Sequence, residues 1–271
     1  MFDGESVNHS TDVVKKGDKI RSCLVHIISR PRDNMQGKRV VVLTGAGISA
    51  ESGIRTFRDN DGLWAEHRIE DVATPQGWRA NPALVWGFYQ ARRRQLHEVE
   101  PNPAHAALAS LEEGLEHMLL ITQNVDDLHE RGGSKDVVHM HGQLVTLRCE
   151  TSGRSERRMD AADLTDEFLT CNCCAEPQRL RPDIVWFGEQ PMFMQEIYAA
   201  VDACDVFIVI GSSGHVYPAA DLVHIAHAKG ARTVLVNAEA PMNIGAFDEV
   251  HLGKAGELLP GLVEAWLSES D

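Results

Sequence analysis

The sequence predicts an α/β protein, a doubly wound parallel sheet of Rossmann-like architecture carrying a smaller inserted domain. Three observations predict it. Short runs rich in Val, Ile and Leu alternate with longer segments of helical character from Arg39 to the C-terminus, and such alternation favours a parallel sheet with helices on both faces. Gly45, Gln123, His141, Gly211 and Asn237 each follow a predicted strand, and open α/β sheets bind ligands beyond the carboxyl ends of their strands. From Gln143 to Pro182 the composition turns polar and charged and gathers most of the cysteines, so this stretch reads as an insertion outside the main sheet.

The elements follow in order. Residues 1–37 form a peripheral extension. Asp12 to Ser29 reads either as a surface helix, with Val13, Ile20, Leu24, Ile27 and Ile28 apolar, or as a partly disordered arm. Residues 38–142 and 183–271 are expected to build the nucleotide-binding domain, with a helical insertion over about 55–100, and residues 143–182 the small domain. Arg39 to Thr44 is too short for a helix and rich in β-branched residues, hence a buried strand. Gly45-Ala46-Gly47 turns the chain, and Ser49 is placed to cap a short helix through Glu51 and Ser52. Pro82 to Val99 is a helix capped by Asn81, and Pro101 and Pro103 break it before a second helix over Ala104 to Leu115. Strands follow at His117 to Thr122 and at Val137 to Met140. After the insertion come a strand at Asp205 to Ile210, a helix at Pro218 to Lys229, a strand at Thr233 to Val236 and a helix at Ala255 to Leu267.

A strand, a glycine turn and a helix N-terminus form a pyrophosphate site through unpaired N–H groups and the helix dipole. The dinucleotide fingerprint fits in part: Ala50 stands where a third glycine is usual. The ribose-binding acid expected about 20 residues later has no candidate, because no second strand follows. A polar, arginine-bearing loop from Ile54 to Asp59 takes its place. On these residues alone, the glycines mark either a phosphate site or an ordinary tight turn.

Composition excludes some classes. The formal net charge of −14 argues against a general nucleic-acid binder. No apolar run reaches the ~20 residues that span a bilayer, and the first residues lack the basic and apolar regions of a signal peptide. The expectation is a soluble, cytoplasmic monomer with no membrane or nucleic-acid partner. Three cysteines within four positions suit a metal better than a disulfide framework in a chain of 271 residues.

Several clusters can carry chemistry. Gln123-Asn124-Val125-Asp126 offers amides and a carboxylate at a strand end, or a turn and a helix cap. His139 and His141 share one face of an extended segment, and histidine is the side chain most easily poised to take a proton near neutrality. Structural zinc sites pair C-x₂₋₄-C motifs. Cys171 and Cys174 form one such pair, but the partner position of Cys149 is Ser152, leaving Cys173 or a water to complete a tetrahedron. The insertion is then a zinc-ribbon-like domain, or a ribbon held by packing alone. Tyr89 and Arg92, three apart on one helix, lie on one face. Arg92-Arg93-Arg94 reads as a charged run on a solvated helix.

The twenty residues Gly45 to Trp64, GAGISAESGIRTFRDNDGLW, are far more specific than their glycines. They resemble the signature of the sirtuins, NAD-dependent protein-lysine deacylases, and within them a bacterial CobB-like subgroup. The resemblance covers Arg39 to the C-terminus. It implies NAD contacts at Gly45, Ala46, Gly47, Ser49, Ala50, Thr56, Phe57, Arg58 and Trp64. It implies more at Gln123, Asn124, Val125 and Asp126, at Gly211, Ser212 and Ser213, and at Asn237, Ala238, Glu239 and Ala255. Asp126 would hold the nicotinamide carboxamide and Asn124 orient the ribose and a water. His141, before Gly142, would be the general base, and His139 structural. Cys149, Cys171 and Cys174 would bind a structural zinc, although the family's four-cysteine pattern is incomplete here. Val185, Phe187, Gly188 and Glu189 would pair with an extended substrate peptide, with His215 to Pro218 flanking it.

Sirtuins that remove succinyl or malonyl groups carry a tyrosine and an arginine at the spacing of Tyr89 and Arg92. A guanidinium forks onto a carboxylate and a phenol adds a further hydrogen bond. The resemblance thus implies a deacetylase and desuccinylase whose partners are acyl-lysine proteins or peptides, with NAD consumed and nicotinamide and O-acyl-ADP-ribose released. Two other classes stand beside it. A conventional dehydrogenase would need the missing ribose acid, and a non-enzymatic NAD or ADP-ribose module would have no use for His141.

Overall fold

The computed structural model describes residues 34–54, 67–241 and 243–268, with the backbone alone of residues 63–64. The expected helix over 12–29 and the cofactor candidates Thr56, Phe57 and Arg58 lie outside the described residues, as does the side chain of Trp64.

Strand β1 (Arg39–Thr44) is buried from its second residue on, as its unbroken apolar run requires of a central parallel strand. The glycine loop follows as two single 3₁₀ turns, Ala46–Ile48 and Ala50–Ser52, in place of the expected capped helix; Ser49 makes no capping hydrogen bond. A two-residue ribbon, β2 (Leu63–Trp64) with β3 (His67–Arg68), precedes three helices: α1 (Ile69–Val72), α2 (Pro75–Ala80) and α3 (Pro82–Leu96). Helix α3 starts where Asn81 Oδ1 accepts the Leu84 amide at 3.1 Å and Pro82 fills the first turn. Asn102 caps α4 (Pro103–Gly114) in the same way. Then come β4 (His117–Thr122), α5 (Leu128–Arg131) and β5 (Val137–His139).

After Met140 and His141 the chain leaves the main sheet. Strands β6 (Gly142–Cys149), β7 (Ser155–Arg157) and β8 (Leu180–Ile184) form a three-stranded antiparallel sheet with β6 in the middle. The chain returns through α6 (Met194–Ala203), β9 (Val206–Ile210), α7 (Leu222–Ala228), β10 (Arg232–Asn237), β11 (Glu249–Leu252) and α8 (Ala255–Leu267).

The main sheet runs β11-β10-β9-β1-β4-β5 and every pairing is parallel. In chain order this is the doubly wound 3-2-1-4-5-6 arrangement read from the other edge. Side chains alternate across it. Val40, Val42, Leu120, Ile208 and Val236 face a core closed by α4 and α8. Val41, Leu43, Ile121, Phe207 and Leu235 face the opposite core under α6 and α7. A third core joins α1–α3 to β6 and β8 around Trp78, Trp86, Tyr89 and Trp186. The helical segment expected to accompany the nucleotide-binding sheet thus shares its core with the smaller sheet. The order also explains the missing ribose acid: the neighbour of β1 is β4, and α1–α4 intervene before it. Among the described residues, no helix is long and apolar enough to cross a membrane.

Candidate active site

The strand order reverses between β1 and β9, and the crevice there is the expected ligand site of a doubly wound sheet. Two turns close on each other at this point. Gly45 N–H donates to Ile210 O at 2.9 Å and Gly47 N–H to Gly211 O at 2.8 Å. The approach admits no side chains. A Cβ on Gly47 would lie 2.7 Å from Gly211 Cα, and one on Gly211, whose φ is +63°, would lie 2.4 Å from Ile48 N. The glycines that suggested a phosphate loop therefore also fit backbone to backbone, which an ordinary tight turn would not need.

Beyond these turns the polar residues at the strand ends are linked. Gln123 Nε2 donates to Ser212 Oγ at 3.0 Å, joining the ends of β4 and β9 across β1. Asn237 Nδ2 donates to Ser212 O at 3.1 Å and to Glu239 O at 2.8 Å. Asn124 Nδ2 donates to Gly45 O at 3.2 Å and Ser49 Oγ at 3.1 Å, so the buried amide ties the β4 loop to the glycine loop. Asp126 is buried too. Burial raises its pKa, and hydrogen bonds from the Leu128 amide and Ser49 pull it back. Ala255 begins α8 at the same end of the sheet, and the neighbouring Gly256 amide donates to Glu51 at 2.9 Å.

His141 sits between β5 and β6, on the passage from one sheet to the other. Its Nδ1 lies 3.1 Å from Gln123 O. A carbonyl only accepts, so Nδ1 carries the proton and Nε2 is the basic nitrogen. Burial lowers the pKa of this ring, partly offset by the Gln123 carbonyl, and keeps Nε2 ready to accept a proton at neutral pH. His139 is enclosed instead, its ring nitrogens facing Asn124 O at 3.3 Å and Glu130 Oε1 at 2.7 Å.

The arginine run of α3 is not a solvated stripe. Arg93 points into the core and donates to Leu144 O at 3.1 Å and Asp163 O at 3.2 Å, Arg94 pairs with Asp166, and Arg92 is partly buried. Burial pushes Arg92 down to about 10, partly offset by its electrostatic interactions with Tyr89 and Asp126, so it stays charged at neutrality; its guanidinium lies over the Phe88 ring, 5.8 Å from the centroid. Tyr89 is fully buried, and its hydroxyl accepts from Trp186 Nε1 at 3.0 Å.

The segment after β8, expected to pair with an extended peptide, folds into a turn. Val185 N–H donates to His141 O at 2.9 Å, Phe187 N–H to Ala73 O at 3.0 Å, and Gly188 takes φ +93° in a turn. Glu189, expected at the substrate, has its carboxylate held by Arg181 at 2.9 and 3.0 Å and by the Trp186 amide at 2.8 Å. The turn shape needs that carboxylate in place. Phe187, Val216 and Tyr217 remain exposed.

The sulfurs of Cys149, Cys171, Cys173 and Cys174 all lie within 4.8 Å of one another. Cys149 and Cys174 are 3.8 Å apart, Cys173 and Cys174 3.9 Å. Four sulfurs about 2.3 Å from a tetrahedral zinc stand roughly 3.8 Å apart, so the donor set fits zinc, with Cys173 at the position the sequence left open. Ser152, the vacant partner of Cys149, bonds Cys173 Sγ at 3.1 Å. Sequence reasoning also missed Thr44 and Thr122, register partners at the ends of β1 and β4, and the buried His129 on α5. The signal was present: both strands, RVVVLT and HMLLIT, end on a hydroxyl.

A nucleotide-binding sheet, a basic histidine at its crevice and a four-thiol ribbon define the class, and comparison with known proteins agrees. Residues 45–218 match the Sir2 family. The chain belongs to the Sir2 family. It is 54% identical over 237 residues to the NAD-dependent protein deacylase of Salmonella typhimurium, covering 86% of this chain and 85% of the relative. Over 253 residues it is 53% identical to the deacylase of Yersinia pseudotuberculosis, covering 92% and 90%. Among solved structures, a Sir2 homologue–NAD complex matches with a TM-score of 0.77 at 40% identity over 85% of this chain and 91% of that one. A Sir2–p53 peptide–NAD+ complex matches with a TM-score of 0.71 at 30% identity, covering 83% and 92%.

Proposed function

We propose that this site removes acidic acyl groups, succinyl and malonyl, as well as acetyl, from protein lysines. The chain is an NAD-dependent protein deacylase; identity above half with bacterial deacylases over most of its length supports that class. NAD is a consumed substrate, which the glycine turns and the linked strand-end amides are suited to hold. Bound there, it supplies the ribose carbon that accepts the acyl group as nicotinamide leaves.

The chain's own residues then have distinct work. Asn124, fixed on Gly45 and Ser49, orients the ribose and a water. Asp126 accepts from the nicotinamide carboxamide. Nε2 of His141 takes a proton from a ribose hydroxyl, with Nδ1 locked on Gln123 O. The released products are nicotinamide, free lysine and O-acyl-ADP-ribose. The substrate peptide lies along the turn after β8, between the exposed Phe187 and Val216–Tyr217.

One observation carries the acyl preference. Arg92 is partly buried on α3, over the Phe88 ring and three residues from the buried Tyr89, where a carboxylate at the end of an acyl chain would meet both. Tyr89, anchored on Trp186, has a phenol O–H that can turn to donate to the same carboxylate. The test offers acetyl and succinyl versions of one lysine peptide to wild type and Arg92→Met, with mass-spectrometric readout. Losing a charge-assisted pair should lower desuccinylation about 10- to 100-fold, with deacetylation changed only a few-fold. Equal losses on both substrates would remove the acyl argument.

A further inference from the structure

Behind the active site a line of hydrogen bonds, interrupted by one edge-to-face pair of rings, runs from the start of α4 to Asn124 through residues that the chemistry above does not use. The amide of Asn102 donates to Nδ1 of His105 at 3.2 Å. The His105 and His129 rings stand edge to face, 5.0 Å between centroids. Nε2 of His129 is 2.9 Å from Thr44 Oγ1, which is 2.8 Å from Thr122 Oγ1. Thr122 Oγ1 in turn accepts the amide of Asn124 at 3.0 Å. Both histidines are buried, 0% and 1% exposed.

The bonding orders the protons. An amide only donates, so His105 is bare at Nδ1 and protonated at Nε2. At the other end Thr122 accepts from Asn124 and from the Thr44 hydroxyl. Thr44 then accepts from His129, which must be protonated at Nε2 and bare at Nδ1. That leaves two buried ring nitrogens without a partner, His105 Nε2 and His129 Nδ1. One is a donor and the other an acceptor, on facing rings. A single buried water between them would satisfy both. Burial lowers the pKa of both rings, which keeps them neutral, as this order requires.

We propose that His129, its tautomer set by the Thr44–Thr122 hydroxyl pair, is a positioning residue that holds the Asn124 backbone in its reactive place. The proposal rests on the role given to Asn124 above. Thr44 and Thr122 transmit the constraint because they close adjacent parallel strands in register. A histidine that merely fills the core would have no need of this tautomer or of a hydroxyl at each strand end.

The test compares His129→Leu, which removes the donor to Thr44, with His129→Gln, whose side-chain N–H can replace it, and with Asn124→Ala. Readouts are kcat and KM for deacylation, nicotinamide exchange, thermal midpoint and ¹⁵N chemical shifts of the imidazoles in wild type. His129→Leu should lower kcat and nicotinamide exchange about 10- to 100-fold, the scale of a misplaced reacting group, with peptide KM little changed. His129→Gln should recover most of the loss. Wild-type shifts should show both rings protonated at Nε2 and bare at Nδ1. A folded His129→Leu with wild-type kcat, or a His129 ring protonated at Nδ1, overturns the proposal. If His129→Leu does not fold, the wild-type shifts decide. Full activity in Asn124→Ala would instead remove the Asn124 reading itself, and the positioning role with it.

Discussion

His141 shows how one backbone contact sets a chemical role. Nδ1–H donates to the Gln123 carbonyl and burial disfavours the charged ring, so the basic Nε2 form persists below the ordinary histidine pKa of about 6.5. The kcat/KM profile should therefore be flat through neutrality and fall only below that value. An acid limb centred above 6.5 would contradict the assignment. Replacing His141 with alanine should cost about 10²- to 10⁴-fold in turnover while NAD still binds. His105 and His129 make the complementary case for stability. Burial pushes them down to about 4 and about 3, so below pH 6.5 the unfolded chain binds protons that the native state refuses. Native stability is then complete above about 6.5 and falls with pH toward those values, by roughly 1.4 kcal/mol per unit for each ring. Urea midpoints from pH 7.5 to 5 should decline, and less steeply in His129→Gln; parallel curves would exclude His129 as a source. The sequence makes only part of this visible. His141 stands out only through the resemblance to the sirtuin motif, where the histidine precedes a glycine, whereas Thr44 and Thr122 read as ordinary β-branched strand formers, since register between distant strands is not local information.

At the scale of elements, legibility follows local signals. Strand β4 and helix α8 are legible at their observed bounds, because each is an apolar segment with clear ends. Strand β11, EVHL, escapes a sequence reading because an edge strand is half exposed and mixes charged and apolar residues. Helix α6 escapes it too, although Ile197 and Val201, four apart, both reach the core. The glycine loop is expected to lead into a helix, but the close fit of Gly45 and Gly47 against Gly211 favours tight 3₁₀ turns. The ribbon carries the element-scale prediction. Cys149 ends β6 and the other three thiols precede β8, so a metal there fastens the loops that join the strands. Purified protein should hold one zinc per chain by elemental analysis. Cys173→Ser should lose it as completely as Cys149→Ser, with a lower thermal midpoint, because structural zinc contributes folding free energy directly. Retention of zinc in Cys173→Ser would return the fourth position to a water.

At the scale of the molecule, His141, the proposed general base, sits on the passage between two sheets. Strand β5 ends at His139 in the parallel sheet and β6 begins at Gly142 in the antiparallel one, so only Met140 and His141 join them. The return path lies beside it. Val185 N–H donates to His141 O at 2.9 Å, and Met192 N–H to Met140 O at 2.9 Å. Any shift of one lobe against the other must act on His141. Gly142 makes the closeness of this crossing measurable. Its φ is +79°, and a Cβ there would lie 2.0 Å from the backbone oxygen of Asp183 in β8. Gly142→Ala therefore combines left-handed strain, about 1–3 kcal/mol, with an overlap that only a displaced strand can relieve. Gly230 separates the two effects, since it has φ +87° but nothing within 4 Å of where a Cβ would stand. Gly230→Ala should cost about 1 kcal/mol and leave kcat unchanged. Gly142→Ala should cost clearly more by urea unfolding. Its folded fraction should also turn over at least about tenfold more slowly, because moving β6 from β8 moves the histidine that immediately precedes β6. If Gly142→Ala lost stability but kept full kcat per folded molecule, the crossing would be a structural joint that leaves the base undisturbed.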